Sequence, residues 1–207
     1  VQSLTVDSTT QHGQKAVDDV SFSLKKGEIF GIAGLMGSGR SELVTTLFGE
    51  YGNKCTGRII INGEEVQHRS ARDAMRNGLS LVPEDRKLMG LIVSQTILKN
   101  ISLPNLNKFA SFLSINKLKE IQQCENMAND LSVKTPTLHA LVSSFSGGNQ
   151  QKVVVAKWLL SQPKILILDE PTRGIDVGAK YEIYKLMHKL TEEGISIIMI
   201  SSELPEI

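Results

Sequence analysis

The chain is poor in cysteine and in long apolar runs. Cys55 and Cys124 are the only cysteines among 207 residues, and neither has a CxxC partner or a histidine at metal-ligand spacing. A disulfide framework and a zinc site are therefore unsupported, and both cysteines are expected to be free thiols. The longest apolar runs, at residues 165–168 and 195–200, are far shorter than the roughly 18 residues that a membrane span needs.

The chain also lacks an excess of charge of one sign. It carries 23 basic and 22 acidic residues, so its formal net charge is +1. This balance gives no electrostatic footprint for nucleic acid, and we predict no nucleic-acid partner. The apolar share of 41% and the charged share of 22% are typical of globular proteins and argue against disordered and fibrous classes. Because the chain opens on Val1 without a leader pattern, we expect a piece of a longer protein.

The first third of the chain has the pattern of strands. Alternating apolar residues from Val20 to Leu24 predict one strand, and residues 28–33 predict another that runs into a glycine-rich segment. An apolar run before Asn62 and Gly63 predicts a hairpin, because both residues tolerate the positive φ of a type I′ turn. We therefore expect an antiparallel sheet here.

The rest of the chain alternates between helical and strand patterns. Residues 41–48 predict a helix that ends at Gly49, and about 85–143 predict an inserted helical subdomain. Residues 165–168, 177–190 and 195–200 follow in the order strand, helix, strand, which predicts parallel strands. The fold class is thus α/β, and we interpret 1–207 as a single domain that contains the helical subdomain.

A glycine-rich loop between a buried strand and a helix is typical of phosphate binding. Glycines let successive backbone N–H groups turn inward around phosphate oxygens, and the following helix points its positive end at them. Arg40 stands where the pattern usually has lysine, and a glycine-rich turn without ligand remains the alternative for this segment alone. The candidate phosphate-binding residues are Gly34, Met36, Gly37, Ser38, Gly39, Arg40 and Ser41.

An acidic pair follows the apolar run at residues 165–168. A buried strand that ends in Asp169 would deliver a carboxylate to the edge of the sheet where Mg²⁺ sits, together with the hydroxyl of Ser41. Glu170 is the candidate general base for an attacking water. The alternative is that the pair only caps a helix or lies in a solvated turn.

The segment SGGNQQK, residues 146–152, opens a helix with a serine and two glycines. A serine alone suffices as an N-cap, and adjacent glycines only add conformational entropy to the unfolded chain. Exposed N–H groups at a positive helix end therefore favour an anion supplied from outside this chain. The candidate residues are Ser146, Gly147 and Gly148.

The order of these motifs carries a resemblance. The glycine-rich loop, a helical insert, SGGNQQK, Ile-Leu-Asp-Glu-Pro and then Gly174-Ile175-Asp176 resemble the nucleotide-binding domain of ATP-binding-cassette proteins over essentially the whole chain. The resemblance implies an ABC-type P-loop ATPase domain with a mixed core sheet, an N-terminal antiparallel β subdomain and the inserted helical subdomain. It also implies ATP and Mg²⁺ as cofactors.

Further segments narrow the resemblance. Glu84-Asp-Arg-Lys, Val133-Lys-Thr-Pro, the run from Asp169 to Lys180 and Ser201-Ser-Glu-Leu-Pro-Glu are similar to the second cassette of bacterial monosaccharide importers, nearest the xylose type. In that family two cassettes share one polypeptide beneath a membrane permease, and a periplasmic sugar-binding protein feeds the permease. The resemblance implies a peripheral location on the cytoplasmic face of the inner membrane. It also implies that this fragment lacks the first cassette and its own last strands.

The sequence departs from the family pattern at several positions. Arg40 replaces the usual lysine, Glu84 stands at the position of the glutamine that touches Mg²⁺ and water, and Ser202 stands at the switch histidine. Residues 1–20 hold no aromatic side chain for stacking on adenine, and His12 is the only ring there. Together the departures predict a site that binds nucleotide but hydrolyses it poorly.

The segment SGGNQQK, residues 146–152, is called the signature below. It matches the family pattern fully, and this predicts a role outside the ATP site of its own domain. Cassettes pair head to tail, so SGGNQQK would complete the ATP site of the partner cassette. We also expect a permease helix to dock between residues 84–86 and residues 96–103, beside Leu91, Ile92 and Ile97. A nucleotide-binding regulatory module and a non-transport cassette remain the alternative functions.

Overall fold

The computed structural model describes residues 1–8, 13–35, 37–50, 55–111 and 114–207. This part of the chain forms two compact units. The first contains Val1–Leu81, Pro163–Glu170 and Lys189–Ile207, and the second contains Val82–Gln162 and Pro171–His188. None of the described helices is long and apolar enough to span a membrane.

The described residues form ten strands and seven α-helices. The strands are β1 (Gln2–Asp7), β2 (Lys15–Val20), β3 (Ile29–Ala33), β4 (Cys55–Ile61), β5 (Glu64–Val66), β6 (Leu79–Val82), β7 (Ala110–Ser111), β8 (Ser114–Ile115), β9 (Ile165–Asp169) and β10 (Ser196–Ser201). The helices are α1 (Arg40–Leu47), α2 (Ala71–Arg76), α3 (Ile97–Ser102), α4 (Leu106–Phe109), α5 (Lys117–Asp130), α6 (Gly147–Leu159) and α7 (Val177–Glu192).

The predicted antiparallel sheet is confirmed in the first unit, with strand order β2-β1-β4-β5. The predicted hairpin turn is also confirmed: Ile61 pairs with Glu64, and the two residues between them have φ of 54° and 85°. Positive φ at both turn positions defines the type I′ geometry that matches the twist of the strands.

One predicted strand is wrong. The alternation up to Leu24 predicted a strand, but β2 ends at Val20. Asp19 has a φ of 49° within the strand, and Val20 is the last residue that pairs with β1, so the pairing ends before Phe22. The ring of Phe22 stacks on that of Phe30 with centroids 5.0 Å apart, which gives this apolar side chain a packing reason outside a strand.

The core sheet of the first unit has the order β3-β10-β9-β6. Strand β10 pairs in parallel with β3 on one side and with β9 on the other, as the strand, helix, strand pattern predicted. Strands β9 and β10 are almost fully buried, which fits their continuous apolar runs. Because these strands are parallel, Ala33, Asp169 and Ser201 end on the same edge of the sheet.

The second unit is mainly helical. Helices α3, α5 and α6 pack on one another around a buried core, and β7 and β8 form a two-stranded hairpin. The core residues include Ile97, Ile101, Phe109, Cys124, Val142 and Val153. Helices α3 to α5 lie inside the segment of about 85–143, whose boundaries as a subdomain stay a prediction.

Candidate functional site

The glycine-rich loop links β3 to α1 in the first unit. Helix α1 begins at Arg40 after Gly39, and no side chain caps its first N–H groups. Gly39 has a φ of 85°, and a Cβ there would lie 2.0 Å from the carbonyl oxygen of Ala16. Only glycine fits this position, and the start of α1 has no side-chain cap.

Other glycines of the loop have their own geometric reasons. A Cβ on Gly34 would lie 2.7 Å from the Oγ of Ser38 and 3.0 Å from the Cδ of Arg40, whereas Gly37 has a φ of 80°. The turn is closed by a hydrogen bond from the N–H of Ser38 to the carbonyl of Leu35. The loop is thus a tight strand-to-helix turn of the predicted type. Met36 and His12 lie outside the described residues.

Asp169 lies at the carboxyl end of β9 and is almost fully buried. Its Oδ1 atom has no hydrogen-bond partner among the described residues, although its carboxylate accepts a hydrogen bond from Ser41. Burial raises the pKa of Asp169, against the opposing effects of the Ser41 hydroxyl and the nearby Arg40 charge. A buried carboxylate oxygen beside a hydroxyl is a suitable pair of ligands for Mg²⁺.

Glu170 follows Asp169 with a left-handed backbone, φ 48°. Such a conformation costs about 1–3 kcal/mol for a residue other than glycine and is typical of functional sites. Its carboxylate has two described partners: Arg40 Nη1 lies 3.2 Å from Oε1, and the Ser202 hydroxyl donates to Oε2 at 3.2 Å. The candidate base is therefore held by two residues that replace the usual lysine and histidine.

No group of three or more His, Cys, Asp or Glu side chains that could hold a metal occurs in the described ranges. Asp169 is the single carboxylate of the predicted metal pair, with Ser41 as its neighbour. Mg²⁺ is commonly held by one or two carboxylates plus waters and substrate phosphates, rather than by a cage of protein ligands. The donor set is therefore consistent with a metal that arrives with a phosphate ligand.

The signature segment lies in the second unit. Ser146 is the N-cap of α6, and its Oγ accepts a hydrogen bond from the N–H of Asn149 at 3.5 Å. A Cβ on Gly147 would lie 2.8 Å from Arg86 Nη2 and 3.0 Å from the carbonyl oxygen of Gly174. A Cβ on Gly148 would lie 2.8 Å from that of Ala179. From the sequence, the two glycines had no expected role in packing. The structure corrects this, because both allow neighbouring groups to approach the start of α6 closely.

The loop after β6 contains two contacts that the sequence analysis missed. The carboxylate of Glu84 pairs with the guanidinium of Arg173. Arg86 donates from Nη1 to the carbonyl of Arg173 at 2.9 Å and from Nη2 to that of Gly174 at 3.2 Å. Residues 84–87 and 169–180 both belong to recognisable sequence motifs, but nothing in their spacing predicts the contacts of Glu84 and Arg86 with Arg173 and Gly174.

Helix α6 is fixed along its length by basic side chains. Lys152 pairs with Glu182 of α7 at 2.7 Å and donates to the carbonyl of Ser132 at 3.0 Å. Lys157, whose pKa is lowered by burial, donates to the carbonyl of Gly90 at 2.9 Å. Lys152 and Lys157 therefore connect α6 to three other segments of the second unit.

The candidate residues fall into two groups. The structure brings one group together at the carboxyl edge of the core sheet of the first unit, and a second group lies in the second unit. The first group is Gly34, Gly37, Ser38, Gly39, Arg40, Ser41, Asp169, Glu170 and Ser202. The second group is Glu84, Ser146, Gly147 and Gly148.

A family model described as "ABC transporter" matches residues 17–173, which include the glycine-rich loop, the signature and the acidic pair. The chain belongs to the ABC transporter family. It is 50% identical over 207 residues to the xylose import ATP-binding protein XylG of Thermoanaerobacter pseudethanolicus. The aligned region covers all of this chain and 41% of that protein. It is 54% identical over 197 residues to XylG of Geobacillus kaustophilus, and this aligned region covers 95% of this chain and 39% of that protein.

Solved structures are similar in fold. A dimeric ATP-binding cassette in a post-hydrolysis state with ADP and phosphate gives a TM-score of 0.81 at 21% identity, over 99% of this chain and 88% of that one. A nucleotide-free cassette gives 0.77 at 24% identity, over 99% of this chain and 83% of that one. The predicted α/β cassette fold is confirmed. The chain spans about two-fifths of the length of the curated relatives named above.

Proposed function

We propose that this ABC family domain binds ATP and couples its binding and hydrolysis to the import of a monosaccharide of the xylose class. The similarity to xylose import ATP-binding proteins, at 50% and 54% identity, supports this assignment. The nucleotide-binding part is carried by the group at the sheet edge: an uncapped helix start, a buried carboxylate whose Oδ1 has no partner among the described residues, and a positioned glutamate.

The residues of the first group divide the work of nucleotide binding. The first backbone N–H groups of α1, which no side chain caps, would face the phosphates, whereas the N–H of Ser38 already donates to the carbonyl of Leu35. Ser41 and Asp169 would hold Mg²⁺, which would supply positive charge to neutralise the phosphates. Glu170 orients and deprotonates the attacking water.

The same site is proposed to be slow because its base is occupied. Arg40 and Glu170 have side-chain exposures of only 10% and 8%, so their ion pair is poorly screened by water. Arg40 and the Ser202 hydroxyl contact the two oxygens of Glu170, so an attacking water has to displace one of them before it can approach this carboxylate. This observation favours the alternative of a nucleotide-binding regulatory site for the P-loop of this domain, while the signature serves hydrolysis elsewhere.

The partners follow from the same proposal. Ser146, Gly147 and Gly148 complete the ATP site of an N-terminal cassette of the same polypeptide, which places a helix start and a hydroxyl at its γ-phosphate. The membrane permease docks on the second unit, and a periplasmic sugar-binding protein acts through that permease. The domain is therefore proposed to be a peripheral protein of the cytoplasmic face of the inner membrane.

The residues of the permease surface differ in part from the prediction. Leu91 and Ile97 are buried in the core, so their apolar character serves packing and does not indicate a dock. Leu88 and Met89 are exposed to 83% and 62%, and Ile92 is half-exposed. Exposed apolar side chains in one short segment are typical of an interaction site. The proposed surface is Leu88, Met89 and Ile92.

The proposal is tested with the full-length polypeptide and its permease in ATP-loaded vesicles, with labelled xylose and the sugar-binding protein outside. ATP-dependent uptake of labelled xylose that is lost on Gly147→Asp supports an importer function. Nucleotide binding without any hydrolysis, with or without the permease, would instead establish the regulatory alternative. Hydrolysis that proceeds at the same rate without the permease and moves no sugar would indicate a non-transport cassette.

A further inference from the structure

Arg86 connects three segments of the second unit. Its guanidinium donates to the carbonyls of Arg173 and Gly174, which form the turn before α7. The same guanidinium lies beside Gly147, the first residue of α6, so closely that a Cβ there would be 2.8 Å from Nη2. One side chain thus occupies the space between the signature and the turn at Arg173 and Gly174.

The segment that carries Arg86 is itself fixed to α6. Asp85 accepts hydrogen bonds from the N–H groups of Lys87 and Leu88 at 2.9 and 3.0 Å, which closes the π-helical turn Arg86–Gly90. The carbonyl of Gly90 accepts from Lys157 on α6, and a Cβ on Gly90 would lie 3.2 Å from Val154. The last residue of the turn, Gly90, therefore contacts the middle of α6, and its first residue, Arg86, contacts Gly147 at the start of α6.

The contacts of Arg86 are polar and specific. Nε is buried and has no hydrogen-bond partner in the described part of the chain, while Nη1 and Nη2 bind two successive carbonyls. A planar guanidinium can span two carbonyls in a fixed geometry, whereas a lysine ammonium is a single point charge. Glu84, two residues earlier, holds the side chain of Arg173 at the same time.

We propose that Arg86 is a positioning residue for the signature: it holds the start of α6 against the turn at Arg173 and Gly174, and so sets the direction of the donors of Ser146, Gly147 and Gly148. The proposal rests on the proposed function, in which these donors act on the ATP of a partner cassette.

The test compares Arg86→Lys and Arg86→Ala with Lys108→Met in the full-length polypeptide with its permease. Lys108 donates to the carbonyl of Leu160 at 2.8 Å, at the opposite end of α6, and is the matched control. We expect both Arg86 variants to lower kcat by about tenfold with KM nearly unchanged, because donor aim matters most in the transition state. Labelled ADP should bind the P-loop of this domain as in the wild type.

A second arm tests the contact itself. Gly147→Ala should cost less kcat in the Arg86→Ala background than in the wild type, since one of its two close neighbours is gone. Gly148→Ala, whose Cβ meets Ala179 and not Arg86, should cost the same in both backgrounds. These three single variants and the two double variants are also compared by thermal unfolding of the full-length polypeptide, where only the Gly147 pair should be non-additive.

Each remaining outcome overturns the proposal. Normal kcat in the Arg86 variants, equal losses in Lys108→Met, or additive losses with Gly147→Ala would show that Arg86 does not set the signature. Non-additive stability with normal kcat would show a purely structural contact. If the wild-type polypeptide does not hydrolyse ATP, the proposed function fails first, and this is seen before any variant is compared.

Discussion

Arg40 and Glu170 form a buried ion pair, with Nη1 3.2 Å from Oε1. The pair joins the first residue of α1 to the residue that follows β9, and the hydroxyl of Ser202 binds the other carboxylate oxygen. The residue that should bind phosphate and the residue that should activate water are thus each other's partners. The catalytic consequences of the proposed function depend on whether nucleotide separates them.

The isolated chain is expected to bind ATP or ADP weakly, to require Mg²⁺ and to hydrolyse ATP slowly. The nucleotide phosphate must displace Glu170 from Arg40. Until this happens, Glu170 is not free to act as the general base. Steady-state phosphate release and binding of a fluorescent ADP, each with Mg²⁺ and with EDTA, measure this. Turnover at the rates usual for enzymes, about 1–10³ per second, would contradict it.

Arg40→Lys should speed hydrolysis by the isolated chain. The lysine ammonium is compact and matches the P-loop pattern, so it can bind phosphate without holding Glu170. We expect a gain of about tenfold, which is less than the loss typical for one missing transition-state donor. Arg58→Lys, on the exposed face of β4 near Glu65, is the control and should change nothing. A slower Arg40→Lys enzyme would mean that the ion pair supports catalysis.

Asp169→Asn should stabilise the ligand-free chain at neutral pH. Burial raises the pKa of Asp169 in the folded state, so the folded protein binds more protons than the unfolded chain as this group titrates. The stability of the wild type is then fullest below the unfolded pKa and falls as pH rises through the folded pKa. The variant should gain about 1 kcal/mol at pH 7, because burying a neutral amide costs less hydration than burying a carboxylate charge.

The measurement is urea unfolding in EDTA across acid to neutral pH, and the gain should shrink as pH falls. Asp73→Asn is the control with the opposite sign. A hydrogen bond from Ser70 lowers the pKa of Asp73, so its contribution is present above the unfolded pKa and is lost as pH falls. A gain from Asp169→Asn that is independent of pH would rule out the buried charge as its cause.

The sequence was sufficient to predict the sheet and the edge where the site lies. The continuous apolar runs of β9 and β10 and the positive-φ turn at Asn62 follow from local rules, and the structure confirms them. The place of Asp169 follows from the strand that precedes it. Phe22 was misread because alternation also arises when an aromatic ring stacks outside a strand.

The contacts of the long side chains could not be predicted. The separation of Arg86 from Gly174 is 88 positions and that of Arg40 from Glu170 is 130, and no periodic pattern connects residues so far apart. The glycines of the signature illustrate the same limit. Their packing against Arg86 and Ala179 depends on neighbours that only the folded chain supplies.

Cysteines introduced at Leu88 or Met89 should crosslink to the permease. Both side chains are exposed and apolar, as a docking surface requires. Leu118→Cys is the matched control, since Leu118 is also 83% exposed but lies on α5. Cys55 is first replaced by serine, whereas Cys124 is buried and its pKa is raised to about 12, so it should not react. Capture at Leu118 alone would place the dock elsewhere.

The division of work between the two motifs is tested most directly by comparing Gly147→Asp with Arg40→Ala in the full-length polypeptide with its permease. Gly147→Asp would place a side chain in the space that Arg86 Nη2 and the Gly174 carbonyl already fill, so the start of α6 should shift and hydrolysis and uptake should be abolished. Arg40→Ala should remove nucleotide affinity from this domain yet leave substantial hydrolysis, because the partner P-loop and this signature remain. Equal losses, or a larger loss in Arg40→Ala, would contradict the assignment of the two sites.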